Sequence, residues 1–216
     1  KMSDEETKEE LEVESAEEQS EEQEEGQSEE MSEEMMAMYA AMMGGSKEHR
    51  LIGIYGDIDE EKASAACAAM ISFSKTGKDP IEMFVSTNGG SADEMYAVVD
   101  TIQYLQKLDI EIRSVGIGKI MSAGVMILAA GSKGHRKAGK NTRFMLHSLQ
   151  AGSQGSLPNM KVDMKNFGQM QEKYIVALSE LTNLSYKELK KIINKNSDTY
   201  FTADEAVEMG IIDEIL

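Results

Sequence analysis

The chain has 216 residues and a formal net charge of −17 at pH 7, and the charge is unevenly distributed. Residues 1–34 hold 17 of the 39 acidic residues and 2 of the 22 basic ones, so the rest of the chain is nearly balanced. This balance excludes the basic face that binds nucleic acid, and one cysteine excludes an internal disulfide. No apolar run reaches the roughly 18 residues of a membrane span. We therefore expect a cytoplasmic protein without membrane contact.

The N-terminal segment is rich in Glu, Ser and Gln and has almost nothing to bury, so we expect it to be disordered. Residues 31–43 are apolar and are compatible with a short helix, which Gly44 and Gly45 would end. We therefore divide the chain into a low-complexity tail at 1–46 and a folded domain at 47–216. The tail is either a solvating segment or a propeptide that is removed near residues 43–46.

Strand-like and helix-like segments alternate from residue 50 onward. Short apolar runs predict strands at 50–56, 81–86, 110–116, 143–149 and 211–216. Helical spacing and caps predict helices at 59–76, 91–108, 121–131, 161–182, 185–194 and 202–209. This alternation predicts an α/β fold.

Ser122 stands where a predicted strand leads into a small-residue helix. Ala123 and Gly124 follow it, and then the apolar run at 125–130. The backbone N–H groups of such a turn point toward a negative charge that forms beside the hydroxyl. The position is typical of a nucleophilic serine, although a serine that only caps the helix would look the same.

A serine nucleophile needs a base, and His147 is the candidate. His49 borders the tail, and His135 lies in a basic loop at 133–140 that we expect to be solvated. His147 instead lies inside the apolar strand at 143–149. A lone histidine in a strand is more often a core residue, so this interpretation depends on its combination with other residues.

Asp198 is the candidate carboxylate that orients the histidine. We expect it in a loop between two helices, where a helix cap or a turn aspartate is the alternative interpretation. Gly89 and Gly90 follow the strand at 81–86 and predict a turn at which the backbone approaches a substrate closely. An ordinary strand-to-helix turn would have the same sequence.

Together these motifs resemble the proteolytic subunit of the Clp protease, the ClpP family, from about residue 50 to residue 216. The matching segments are GKIMSAGVMILAAG at 118–131, KGHR at 133–136, NTRFMLH at 141–147, SDTYFTADEA at 197–206 and MGIID at 209–213. The step of 25 residues from Ser122 to His147 is also that of the family. The bias toward lysine, methionine and acidic residues suggests a divergent, phage-borne member.

The resemblance implies a serine endopeptidase that works through an acyl-enzyme without metal or cofactor. The implied catalytic triad is Ser122, His147 and Asp198. The implied oxyanion hole consists of the backbone N–H groups of Gly90 and Ala123. The implied substrate-binding residues are Gly89, Gly152, Ser153 and Gln154, the last three in a strand at 152–155 that would pair with an extended peptide.

The resemblance also implies a fold and an assembly. The fold would be a crotonase-like stack of ββα units with a protruding long helix at 161–182. Two heptameric rings would stack back to back through this helix and enclose peptides or unfolded proteins. A Clp-type AAA+ ATPase would be the partner, but Glu82 and Lys137 replace aromatic residues that help to dock it, which argues against that partnership.

Three alternatives remain open. Lys119 stands at a position that is usually neutral, so a serine–lysine dyad is one of them. A catalytically inactive ring subunit or scaffold is the second. The third is a crotonase-type acyl-CoA enzyme, which would share the oxyanion hole but would need no serine–histidine pair.

Overall fold

A computed structural model describes residues 50–195 and 197–216 of the chain. Its strands are β1 (Leu51–Ile58), β2 (Ile81–Gly90), β3 (Ile112–Met121), β4 (Arg136–Ala138), β5 (Arg143–Leu146), β6 (Thr199–Phe201) and β7 (Glu214–Ile215). Its helices are α1 (Glu60–Thr76), α2 (Ala92–Lys107), α3 (Ala123–Ala129), α4 (Leu157–Leu181), α5 (Tyr186–Ile193) and α6 (Ala203–Glu208). The predicted tail and its boundary at residue 46 lie outside the described residues.

The described strands form one sheet that is mostly parallel. Strands β1, β2, β3, β4 and β7 lie side by side in that order, each parallel to its neighbour. Strand β3 has two partners on one side, since residues 114–116 pair with β4 and residues 119–121 pair with β5. Strand β5 also pairs antiparallel with β6. Helices cross between the parallel strands, as parallel pairing requires, so the expected α/β fold is confirmed.

Helix α3 runs through the core. All seven of its residues are buried, and none of them carries a charge or a hydrogen-bonding side chain. Such a helix can only be accommodated between other elements, and it packs between the sheet and the helices that cover it. The residue before its first turn is therefore held in a fixed place relative to β2 and β3.

Helix α4 stands partly clear of the core. Ile175 and Leu178, both in its second half, are its buried residues. Leu157, Val162 and Met164 in its first half are 66%, 66% and 64% exposed. This confirms the protruding long helix, which starts at residue 157 instead of 161. Among the described helices, none is both long and apolar enough to cross a bilayer.

The basic loop expected at 133–140 is exposed at its ends, Lys133, Gly134 and Lys140, but is not solvated in its middle. It contains β4, and Arg136 is only 4% exposed. The Arg136 guanidinium donates to Asp213 at 2.5 and 2.9 Å, and its Nη1 donates to the Leu181 carbonyl at 2.8 Å. The prediction was wrong because a buried, paired arginine has the same sequence signature as a solvated one.

Three further boundaries differ from the prediction. Gly89 and Gly90 are the last residues of β2 and pair with β1, so they do not form a turn. His147 lies just after β5, and Asp198 lies just before β6 instead of in a loop between helices. Where each of these strands begins and ends depends on the neighbour that supplies its hydrogen bonds, which local sequence does not reveal.

Candidate active site

Ser122 occupies a strained turn between β3 and α3. Its φ of 53° and ψ of −120° lie in a region that residues other than glycine rarely adopt. Among the described residues it makes no side-chain capping hydrogen bond, although it is the residue before the helix. Its N–H donates to the Met145 carbonyl of β5 at 2.8 Å. The turn resembles the strand-to-helix elbow that presents a nucleophile, and the capping alternative does not hold.

The end of β2 packs directly against this turn. A Cβ built on Gly89, whose φ is +103°, would lie 2.7 Å from the Ser122 Cβ and 3.3 Å from the Ala123 nitrogen. A Cβ on Gly124 would lie 2.3 Å from the Thr87 Cγ2. Glycine is therefore required at both contacts, because any side chain would separate β2 from the serine.

Sheet register brings His147 to Ser122. Met121, the last residue of β3, pairs with Met145 of β5, so the residues that follow each strand lie side by side. The His147 Nε2 and the Ser122 Oγ are 2.7 Å apart, a hydrogen bond whose donor depends on the tautomer. The His147 side chain is 18% exposed. A serine hydroxyl that is hydrogen-bonded to a largely buried imidazole can lose its proton to that imidazole as it attacks a carbonyl.

Asp198 lies on the other side of His147. Leu146 pairs with Thr199 across the β5–β6 ladder, and the rings of Phe144 and Phe201 stack with centroids 5.5 Å apart. The Asp198 Oδ1 is 3.9 Å from the His147 Nδ1, which is too long for a hydrogen bond, and the carboxylate side chain is 45% exposed. The fold thus brings the three predicted residues together, but Asp198 and His147 are not within hydrogen-bonding distance.

The two residues implied for the oxyanion hole lie at the end of β2 and at the start of α3. Ala123 is the first residue of α3, and N–H groups of a first helical turn lack an intrahelical acceptor. The Ser91 N–H donates to the Ile58 carbonyl of β1 at 2.9 Å. Gly90 itself pairs with Ile58 in the β1–β2 ladder. An N–H group in the first turn of a helix is of the kind that stabilises a developing oxyanion.

A pocket of about 420 Å³ opens at Ser122 and His147. Its apolar wall includes Met95, Tyr96, Leu149, Met170, Tyr174 and Ile193. Its polar lining includes Asp57, Asn88, Gln150 and Gln171. Apolar walls with a few polar groups are typical of a ligand-binding pocket.

The predicted substrate segment lies elsewhere. Gly152, Ser153 and Gln154 are not among the residues that line this pocket, and 152–155 form no strand in the described chain. Ser153 instead donates to the Asp163 carboxylate of α4 at 2.5 Å. An extended segment becomes a strand only when a neighbour accepts its hydrogen bonds, and a bound peptide would be that neighbour.

Sequence reasoning missed two residues of α4 at the site. The Tyr174 hydroxyl donates to the Ser122 carbonyl at 3.1 Å, and burial raises the pKa of Tyr174, so the hydroxyl stays protonated. The Gln171 Oε1 accepts from the Leu149 N–H at 2.8 Å. Their separation of three residues places both on one helix face, but nothing in the sequence shows that this face meets the serine.

Among the described residues, no group of three or more His, Cys, Asp or Glu side chains could hold a metal ion. The chemistry that the site offers comes from its hydroxyl, its imidazole and its backbone amides.

A protein-family model described as Clp protease matches residues 29–216, which is most of the chain. The description of the family is that of a protease.

Proposed function

This chain belongs to the Clp protease family, and we propose that it is a serine endopeptidase whose nucleophile is Ser122. The observation that carries the proposal is the 2.7 Å contact between the Ser122 Oγ and the His147 Nε2 at a strained turn. Strain of this kind is retained where it serves a reaction. Peptides and unfolded proteins are the proposed substrates.

In the proposed reaction His147 acts first as a base. With hydrogen on its Nδ1, its Nε2 takes the Ser122 proton while the Oγ forms a bond to the peptide carbonyl carbon. The N–H groups of Gly90 and Ala123 stabilise the negative charge on the carbonyl oxygen. The imidazolium then gives its proton to the amide nitrogen, the C–N bond breaks, and an acyl-enzyme remains. Water attacks the ester by the same route and restores the free serine.

Asp198 is proposed to orient His147. Its 3.9 Å distance from the Nδ1 means that a movement of about 1 Å would be needed to form the hydrogen bond. Because the carboxylate is 45% exposed and lies at the end of a short strand, it has room for that movement. The bond between Ser122 and His147 favours this triad over a dyad with Lys119.

Assembly is a separate part of the proposal. Leu157, Val162 and Met164 are exposed apolar residues in the first half of α4, which supports contact between copies of the chain through this helix. We propose two stacked heptameric rings, which a mass measurement would test directly. A Clp-type ATPase partner has less support, since Lys137 forms an ion pair with Glu214 at 2.6 Å where the family has an aromatic residue.

The function is tested with a fluorophosphonate probe and a fluorogenic peptide. We expect labelling and hydrolysis by the wild-type protein and losses of about 10⁴-fold or more in kcat for Ser122→Ala and His147→Ala. Ser72→Ala, on the exposed face of α1, and His135→Ala, whose ring contacts Glu111, are the matched controls. An assembled wild-type protein without labelling would favour the inactive scaffold, and hydrolysis of an acyl-CoA alone would favour the crotonase-type enzyme.

A further inference from the structure

One turn of α4 contacts the Ser122 turn, the segment that follows His147 and the end of α5. Gln171 and Tyr174 are three residues apart and therefore lie on one face of the helix. Both side chains line the pocket beside Ser122. Neither residue is close enough in sequence to any member of the triad for these contacts to be local.

Tyr174 binds the backbone of the nucleophile. Its hydroxyl donates to the Ser122 carbonyl at 3.1 Å, and the same oxygen accepts the Val125 N–H at 3.0 Å. Since burial keeps the tyrosine protonated, its hydroxyl is available as a donor. The bond restrains the peptide plane that follows the strained residue, and the direction of the Ser122 side chain depends on that plane.

Gln171 links the segment that follows His147 to the end of α5. Its Oε1 accepts the Leu149 N–H at 2.8 Å, two residues after His147. Its Nε2 donates to the Asn194 Oδ1 at 3.0 Å, at the end of α5 and four residues before Asp198. The two ends of one amide therefore bind two different segments, and the bond to the Leu149 N–H restrains the chain that follows His147.

We infer that Gln171 and Tyr174 are positioning residues, through which one turn of α4 sets the relative placement of Ser122 and His147. This inference rests on the proposed function and adds to it two residues that touch no reacting atom. A displacement of about 1 Å in such a site is enough to reduce the rate about 10²-fold. Loss of a single hydrogen bond that restrains the site should therefore be visible in kcat.

The test uses Tyr174→Phe, which keeps the ring, and Gln171→Met, which keeps the length of the side chain. The controls are Tyr104→Phe and Gln103→Met, two exposed positions on α2. We expect about tenfold lower kcat per titrated active site and slower fluorophosphonate labelling for the first pair, with KM changed less than kcat. Gln171→Glu keeps an oxygen for the Leu149 N–H and should recover much of the labelling rate.

A role limited to stability would lower the active fraction but leave kcat per titrated site at the level of the controls, and that result overturns the inference. A change confined to KM overturns the inference as well, because the two residues would then only line the pocket and would not position the catalytic residues. If one of the two variants, Tyr174→Phe or Gln171→Met, does not fold, the kcat of the other variant decides. Wild-type protein that does not label at Ser122 overturns the proposed function first, which separates the two failures.

Discussion

Gly89→Ala should inactivate the site by moving the serine turn. The new methyl group would lie 2.7 Å from the Ser122 Cβ and 3.1 Å from the Met121 carbonyl oxygen. Carbon atoms in contact are normally about 3.5–4.0 Å apart. The β2 end and the Ser122 turn must therefore separate by about 1 Å, and a shift of this size costs about 10²-fold in rate.

The same substitution should also destabilise the fold. Overpacking costs about 1–3 kcal/mol, and a non-glycine residue at a φ of +103° adds about 1–3 kcal/mol. Gly134→Ala is the matched control, because Gly134 also has a positive φ, +86°, but its new Cβ would meet nothing within 4 Å. The difference between the two variants therefore reports mainly the contact with the turn.

The assay measures kcat and KM with a fluorogenic peptide, the rate of fluorophosphonate labelling, and unfolding in urea. We expect Gly89→Ala to be about 10²-fold slower than Gly134→Ala while both remain folded. A Gly89→Ala variant with kcat within threefold of the control would refute the reasoning, because the turn would then have absorbed the methyl group without moving Ser122.

Two further predictions concern carboxylates. Asp213→Asn should cost about 3 kcal/mol in urea unfolding at pH 7, because it leaves Arg136 buried without a charged partner. Burial opposes ionisation of Asp213, yet the Arg136 hydrogen bonds hold its pKa below the usual value. The stability that the ionised carboxylate contributes is therefore present above about pH 4 and is lost as the pH falls further. If Asp213→Asn lowered the free energy of unfolding equally at pH 3 and at pH 7, this reasoning would be contradicted. Asp198→Asn should lower kcat about 10²–10⁴-fold, whereas Asp204→Asn should not, and equal peptide hydrolysis by both would remove Asp198 from the triad.

Local sequence predicts those elements whose stabilisation is also local. The helix at 185–194 is confirmed as α5, with Ser185 and Glu188 forming the capping box that the Ser-x-x-Glu pattern indicates. The amphipathic helix at 91–108 is confirmed as α2, capped by Ser91. Both could be predicted because the groups that stabilise a helix end lie within four residues of it.

Short strands could not be predicted in this way. Strands β4 and β6 are three residues each and exist because β3, β5 and β7 accept or donate their hydrogen bonds. Arg136 has the same local sequence whether it is buried or solvated, and its partner Asp213 is 77 residues away. No window of local sequence contains that information.

The sequence by itself indicated the α/β class through its alternating apolar segments, and its resemblance to a known family indicated that family and the candidates Ser122, His147 and Asp198. Only the tertiary structure decided the distances: 2.7 Å from Ser122 to His147 and 3.9 Å from His147 to Asp198. It alone placed Gln171 and Tyr174 of α4 beside them. The physical reason is that strand register and helix packing join residues far apart in the chain, and a distance between side chains exists only once those elements have packed.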